Sequence, residues 1–222
     1  MPSAGGPPSQ CFSSRDDNHA MTQNTWQLSA ALGTFRSTLR FDNDREVDVH
    51  MTTVSLAGNR LVKDRWTVRG GLGMVVDGKL KTGIYGTHEV QPGAMLAVGA
   101  EYLAVKGDGY RPFIDVSAAF STSLMQTVHP LTDDQTRYWA SDLRFGVRSL
   151  WNVNNTLYPF AAVSVFGGPV SWKMNGQDVI GSDVHHYQVA VGGSVQIEAI
   201  GVYVEWAGLG ERGLSAGLSL LW

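Results

Sequence analysis

The last ten residues, Gly213 to Trp222, read GLSAGLSLLW and leave little freedom in what the chain can become. Leu214, Ala216, Leu218, Leu220 and Trp222 share one parity, while Gly213, Ser215, Gly217 and Ser219 share the other. A strand sends alternate side chains to opposite faces. One face is therefore continuously apolar, and the other is small or hydroxylated. That second face lacks Lys, Arg, Asp and Glu, so it makes a poor water-facing surface. It suits the lumen of a closed barrel whose outer wall meets lipid.

The whole chain fits this reading. Charged residues make up 17% of its 222 residues, against roughly 25% in soluble domains. No run of about 18 apolar residues occurs, which excludes a spanning helix but not spanning strands. A net charge of −3 without a basic block argues against nucleic acid as a partner. The single Cys11 excludes an internal disulfide and a cysteine-rich metal site. The opening residues MPSAGGPPSQ carry neither positive charge nor an apolar core, so they do not read as an export leader. For an exported protein this points to a leader already removed. Residues 1–24 are rich in Gly, Pro, Ser, Asp and Asn and read as a disordered N-terminal arm, with the barrel over 25–222.

From Trp26 onward strand follows strand, each about 10 to 15 residues long, enough to cross a bilayer when tilted. The expected strands are 26–41, 46–57, 66–77, 94–105, 113–125, 138–152, 158–172, 185–199, 202–208 and 213–222, with polar loops at 78–91, 126–136 and 173–183. In the second, Val47, Val49 and Met51 are expected outward and Asp48, His50 and Thr52 inward, with a bulge after Thr53 where the apolar parity switches. The fold class is all-β: a closed, antiparallel, up-and-down transmembrane barrel of about ten strands, with eight as the alternative. With an even count, odd strands run up and even strands run down. Trp26, Trp66, Tyr102, Trp151, Tyr158 and Trp222 then gather at one rim as an aromatic girdle. Trp139, Trp172 and Tyr187 fall at the other.

The terminal strand resembles the C-terminal signal of bacterial outer-membrane β-barrel proteins. Ser215, Gly217, Leu220 and Trp222 occupy its polar, glycine, hydrophobic and terminal aromatic positions. The resemblance covers the last strand only. It implies location in the outer membrane of a Gram-negative bacterium, contact with outer-membrane lipid and lipopolysaccharide, and handling by the barrel-assembly machinery. It also implies that this strand closes the barrel against the first.

Inward parity collects Asp48, Glu101, Asp115, Asp142, Glu198 and Glu205 against Arg69, Arg144 and Arg148. In so narrow a lumen these charges must pair. They form either a structural plug or a narrow pore for small polar or amphipathic solutes. A catalytic set is conceivable: Asp42 and Asp44 in the first outer loop, facing Asp183 and His185, resemble the paired acids and Asp-x-His of the omptin outer-membrane proteases. Asp42, Asn43 and Asp44 are also ordinary turn residues. No zinc, calcium or phosphate-loop motif is present, and no metal or cofactor is expected. The function readings are thus a structural barrel docking a partner protein at its loops, a pore, an omptin-like protease, and a soluble lipocalin-like binder whose cavity would be apolar.

Overall fold

The computed structural model describes residues 26–42, 44–63, 65–83, 86–107, 111–129, 131, 134–174 and 177–222; the expected N-terminal arm lies outside them. The strands are β1 (Trp26–Phe41), β2 (Glu46–Lys63), β3 (Trp66–Lys81), β4 (Thr87–Val90), β5 (Gly93–Val105), β6 (Phe113–Val128) and β7 (Gln135–Leu150). They continue with β8 (Leu157–Gly167), β9 (Val170–Met174), β10 (Gln177–Asp183), β11 (Tyr187–Ile197), β12 (Ile200–Gly210) and β13 (Arg212–Leu221).

Several of these are halves of one stave. β4 and β5 both pair with β3 and with β6. β8 and β9 both pair with β7. The breaks fall at Pro92 and Pro169, which have no N–H to give the ladder. β10 and β11 continue one another across Val184–His186. The expected loops are thus partly strand: residues 78–81, 87–90, 126–128, 135–136, 173–174 and 177–183 extend staves.

The sheet closes twice. Low in the barrel β1 pairs with β13, from Gln27↔Leu221 up to Arg36↔Arg212. Trp26 N–H donates to Trp222 O at 2.7 Å, and Trp222 N–H donates back at 3.0 Å. Higher up β1 pairs with β10 instead, at Leu39↔Asp183, Arg40↔Ser182 and Phe41↔Gly181. The β12–β13 hairpin ends between these two levels. The lower ring therefore has ten staves and the upper ring eight: β1, β2, β3, β4, β6, β7, β9 and β10. Both counts allowed by the sequence are present, at different heights.

The wall also changes sense with height. On β1 the outward set runs Trp26, Leu28, Ala30, Leu32, then Thr34, Arg36, Thr38, Arg40. The inward set runs Gln27, Ser29, Ala31, Gly33, then Phe35, Ser37, Leu39, Phe41. Parity never breaks; only the chemistry swaps. The same holds on β2, where Val47, Val49 and Met51 are buried inside and Asp48 and His50 are exposed outside. This corrects the expected facing of those residues. The irregularity beside Thr53 is real, but its extra residue is Val76 on β3, since Thr52 pairs with Asp77 and Thr53 with Val75. The expected facing assumed lipid along the full strand. Above the apolar band the barrel stands in water, so its greasy side turns inward.

Below that level the outer wall is apolar: Leu72 is 67% exposed, Leu218 58% and Phe145 51%. A continuous belt of this kind exceeds any ordinary soluble surface and matches hydrocarbon. Above it Phe35, Leu39, Met51, Leu80, Met125 and Trp172 form one buried core inside the eight-stave ring. Each contributes about 1.5–3 kcal/mol over its exposed state.

Candidate functional site

Between the two regimes lies a polar lumen. From the lower rim one chain of contacts climbs the wall. Asn59 Nδ2 donates to Gln27 Oε1 at 2.9 Å, and Arg69 Nε donates to Asn59 Oδ1 at 3.1 Å. Arg69 also grips Glu101. Arg148 Nη2 donates to the other Glu101 oxygen at 3.2 Å, and Arg148 Nε donates to Asp115 Oδ2 at 3.0 Å. A second group sits across the barrel. Arg144 donates to Gln188 Oε1 at 2.9 Å and to Glu211 Oε1 at 3.1 Å, and lies 3.5 Å from Asp142. Its guanidinium stacks on Phe166 at 4.1 Å. Between the groups is a cavity of about 140 Å³ lined by Arg69, Arg144, Arg148 and Glu205.

The structure thus brings together Arg69, Glu101, Asp115, Asp142, Arg144, Arg148 and Glu205, as inward parity required. It removes two expected members. Asp48 is exposed on the outer wall, where Thr38 Oγ1 donates to it at 2.8 Å. It belongs to the inverted part of β2. Glu198 is exposed in the β11–β12 turn at φ 52°, past the end of its strand. One member was missed: Glu211, fully buried at the tip of the β12–β13 hairpin. As a turn residue it looked solvated. Its parity with the inward Gly213 and Ser215 was the available signal. The hairpin ends inside the wall, so its tip meets Arg144 rather than water.

Apolar clusters stand at both ends of the lumen. Below, Leu150, Tyr158 and Phe160 pack together, Leu61 and Leu103 pack together, and Phe113 touches both groups. Above sits the core around Trp172. Two aromatics therefore need correction. Tyr158, expected in the lipid girdle, shares the inward parity of Phe160 and fills the lower end. Trp172, expected at the outer rim, is wholly buried, with Nε1 donating to Thr127 Oγ1 at 2.9 Å. Trp26, Trp66, Trp151 and Trp222 do face outward at the lower rim, with Tyr102 against Trp66 at 4.9 Å. Trp139 faces outward near the top of the belt and donates to Thr122 Oγ1 at 3.1 Å.

On the closing strand Ser215 and Gly217 face inward, and Leu220 and Trp222 outward. Gly217 is required by packing. It lies opposite Tyr203, and a Cβ there would stand 2.5 Å from the Tyr203 ring. The acidic and histidine candidates do not converge. Asp42 and Asp44 sit exposed in the β1–β2 turn, Asp44 at φ 59°. Asp183 is buried, accepting from the Ser37 hydroxyl and from His185 N–H at 2.9 Å. The His185 side chain is exposed on the outer wall. Among the described residues no three His, Cys, Asp or Glu side chains gather as a metal site.

The roof of the upper core carries a titratable group. His88 on β4 stands 4.8 Å from His129 and 4.8 Å from Trp172. Burial first, and His129 second, hold its imidazole below the usual value of about 6.5. The unfolded chain then takes the proton before the folded one does. Stability is full above pH about 6.5 and falls as pH drops through the window between the two values. Unfolding midpoints at pH 7.5 and 5.5 should differ more for wild type than for His88→Gln. Equal differences would remove His88 as the sensor.

No family model matches the sequence, and no curated protein matches it. Solved structures do. The outer membrane protease OmpT from Escherichia coli aligns with a TM-score of 0.55 at 9% identity, covering 93% of this chain and 99% of that one. The beta domain of the Bordetella autotransporter BrkA gives 0.51 at 15% identity, covering 89% and 100%. The translocator domain of the autotransporter NalP from Neisseria meningitidis gives 0.50 at 10%, covering 91% and 90%. At such identities the likeness fixes the fold, a transmembrane antiparallel β-barrel of the outer-membrane type, and carries no activity with it.

Proposed function

We propose that this chain is an integral outer-membrane barrel with a closed lumen, serving as a structural element or as a platform for a partner at its upper loops. The observation that carries the reading is the double seal: an ion-paired network held between two apolar plugs. A conductive path would have to breach both. The paired charges resist displacement, since parting them exposes buried ions. The reversed polarity of the upper ring supports a part standing in water, where a partner would meet it. Ser215, Gly217, Leu220 and Trp222 lie on the strand that completes the lower ring, which suits recognition by the barrel-assembly machinery. The omptin-like protease reading has less support, because Asp183 and His185 present their side chains on opposite sides of the wall. A soluble lipocalin-like barrel would need the inverted sense along its full height, and only the upper ring has it.

Planar-bilayer recording on the purified, refolded chain tests the proposal. The expected result is no steady current. A persistent, ion-selective open level would overturn the closed reading in favour of a small pore.

A further inference from the structure

The outer wall carries a feature that neither lumen nor plug explains. Arg212 on β13 pairs with Arg36 on β1, Arg36 pairs with His50 on β2, and His50 pairs with Lys79 on β3. All four side chains are exposed on the outside. Adjacent strands lie about 4.8 Å apart, so this row spans about 14 Å. Like charges placed directly opposite destabilise a sheet. None of Arg36, Lys79 and Arg212 makes an ion pair with another described residue. Four residues above Arg36 the same strand does pair its cation, Arg40 with Glu46 at 2.6 Å. The row is unneutralised where neighbouring positions are not.

Topology gives the row a groove. The β12–β13 hairpin stops at Gly210–Arg212 while β1, β2 and β3 continue upward, leaving a step in the wall. The resulting hollow, of about 610 Å³, is lined by the four cationic positions together with Lys81, Asp48, His185 and Gly210. Asp48 is the one carboxylate in it and is already engaged by Thr38. Besides Asp48, two acidic neighbours lie at the Lys79 end: Glu89 opposite Lys79 on β4, and Asp77 two residues below it on β3. Excess positive charge is thus greatest at Arg36 and Arg212.

The height of the groove identifies its occupant. On β1 only Thr34 separates, on the outer face, Arg36 from Leu32 of the apolar belt. On β13 the next outward residue below Arg212 is Leu214, opposite Trp206. The groove opens downward onto lipid-facing surface, at the level of headgroups. We propose that Arg36, His50, Lys79 and Arg212 form a binding site for the phosphorylated headgroup of an outer-leaflet glycolipid, whose acyl chains lie along Leu32, Leu214 and Trp206. The site rests on the membrane reading above.

The test uses the full chain. Insertion into phosphatidylcholine vesicles, followed by heat-modifiable gel mobility, is scored first and checks the membrane reading alone; a chain that never inserts overturns that reading, and the site with it. Detergent-solubilised protein is then titrated with diphosphoryl lipid A and examined by native mass spectrometry. Wild type should retain one lipid, and R36Q/K79Q/R212Q should bind it roughly tenfold more weakly or worse. Removing like charges leaves the barrel at least as stable, so the triple variant should fold. Arg40→Gln, on the paired rung, should bind as wild type does. Fully dephosphorylated lipid A should not distinguish wild type from the triple variant. Equal affinity of both proteins for diphosphoryl lipid A in inserted, folded barrels would overturn the site. Displacement of the lipid by inorganic phosphate at equal concentration would overturn the glycolipid as its ligand.

Discussion

Arg148→Met is expected to cost about 3–5 kcal/mol, because it leaves the buried Asp115 carboxylate without its cation. Arg148 holds Asp115 at 3.0 Å and shares Glu101 with Arg69 at 3.2 Å. Glu101 keeps Arg69. Asp115 keeps no other ion pair among the described residues, and it is 5% exposed. Methionine fills much of the vacated volume, so the loss reports on charge rather than on a hole. Urea unfolding in detergent micelles, followed by tryptophan fluorescence, measures it. Adding Asp115→Asn should recover more than half of the loss, since a neutral amide tolerates the site better than an orphaned carboxylate. A single-variant loss under about 1 kcal/mol would mean that water reaches this network freely, and the closed lumen would fall with it.

Trp172→Ala should be comparably severe, at about 3–5 kcal/mol, for a different reason. Trp172 is the largest side chain wholly buried in the upper core, 6.0 Å from Phe41 and edge-on to His88. Its indole N–H also satisfies Thr127, which is itself fully buried. Truncation leaves a cavity and removes the indole donor shared by Thr127 and Thr136, which keep only each other at 2.7 Å. Trp172→Phe keeps most of the volume and should cost about 1–3 kcal/mol, mainly the lost hydrogen bond. The same urea titration separates the two. Bilayer recording adds a second readout: on the proposed closed reading the Ala variant should still pass no steady current, because the cluster of Leu150, Tyr158 and Phe160 remains at the other end. A tryptophan on the outer rim would give neither loss.

Much of the barrel could be read from local pattern. A strand's side-chain period is two wherever the strand sits. GLSAGLSLLW therefore declared its two faces without reference to anything else. The alternation on β6 and β7 likewise sorted Asp115, Asp142, Arg144 and Arg148 onto one side, and the structure keeps them there. The stave count emerged from the same pattern, while the closing contact between the first and last strands came from the resemblance of the terminal strand and is present as the β1–β13 ladder. Strand ends were less legible. Pro92 fell just past the expected loop 78–91 and Pro169 inside the expected strand 158–172, and each only interrupts a stave that resumes within a few residues.

What the sequence determined by itself was which residues share a face, because that follows from backbone geometry alone. Which medium each face meets was decided by the folded barrel. Parity on β1 and β2 runs unbroken through Gly33 and Thr53, yet the outer side changes from lipid to water there, so Val47 and Met51 went in and Asp48 went out. Glu211 became a buried partner of Arg144 because a hairpin from one end of the chain stops beside a strand from its middle. Tyr158 and Trp172 became plugs because ring closure made an inside for them to fill. Height and enclosure belong to the assembled wall, and no local window of residues encodes them.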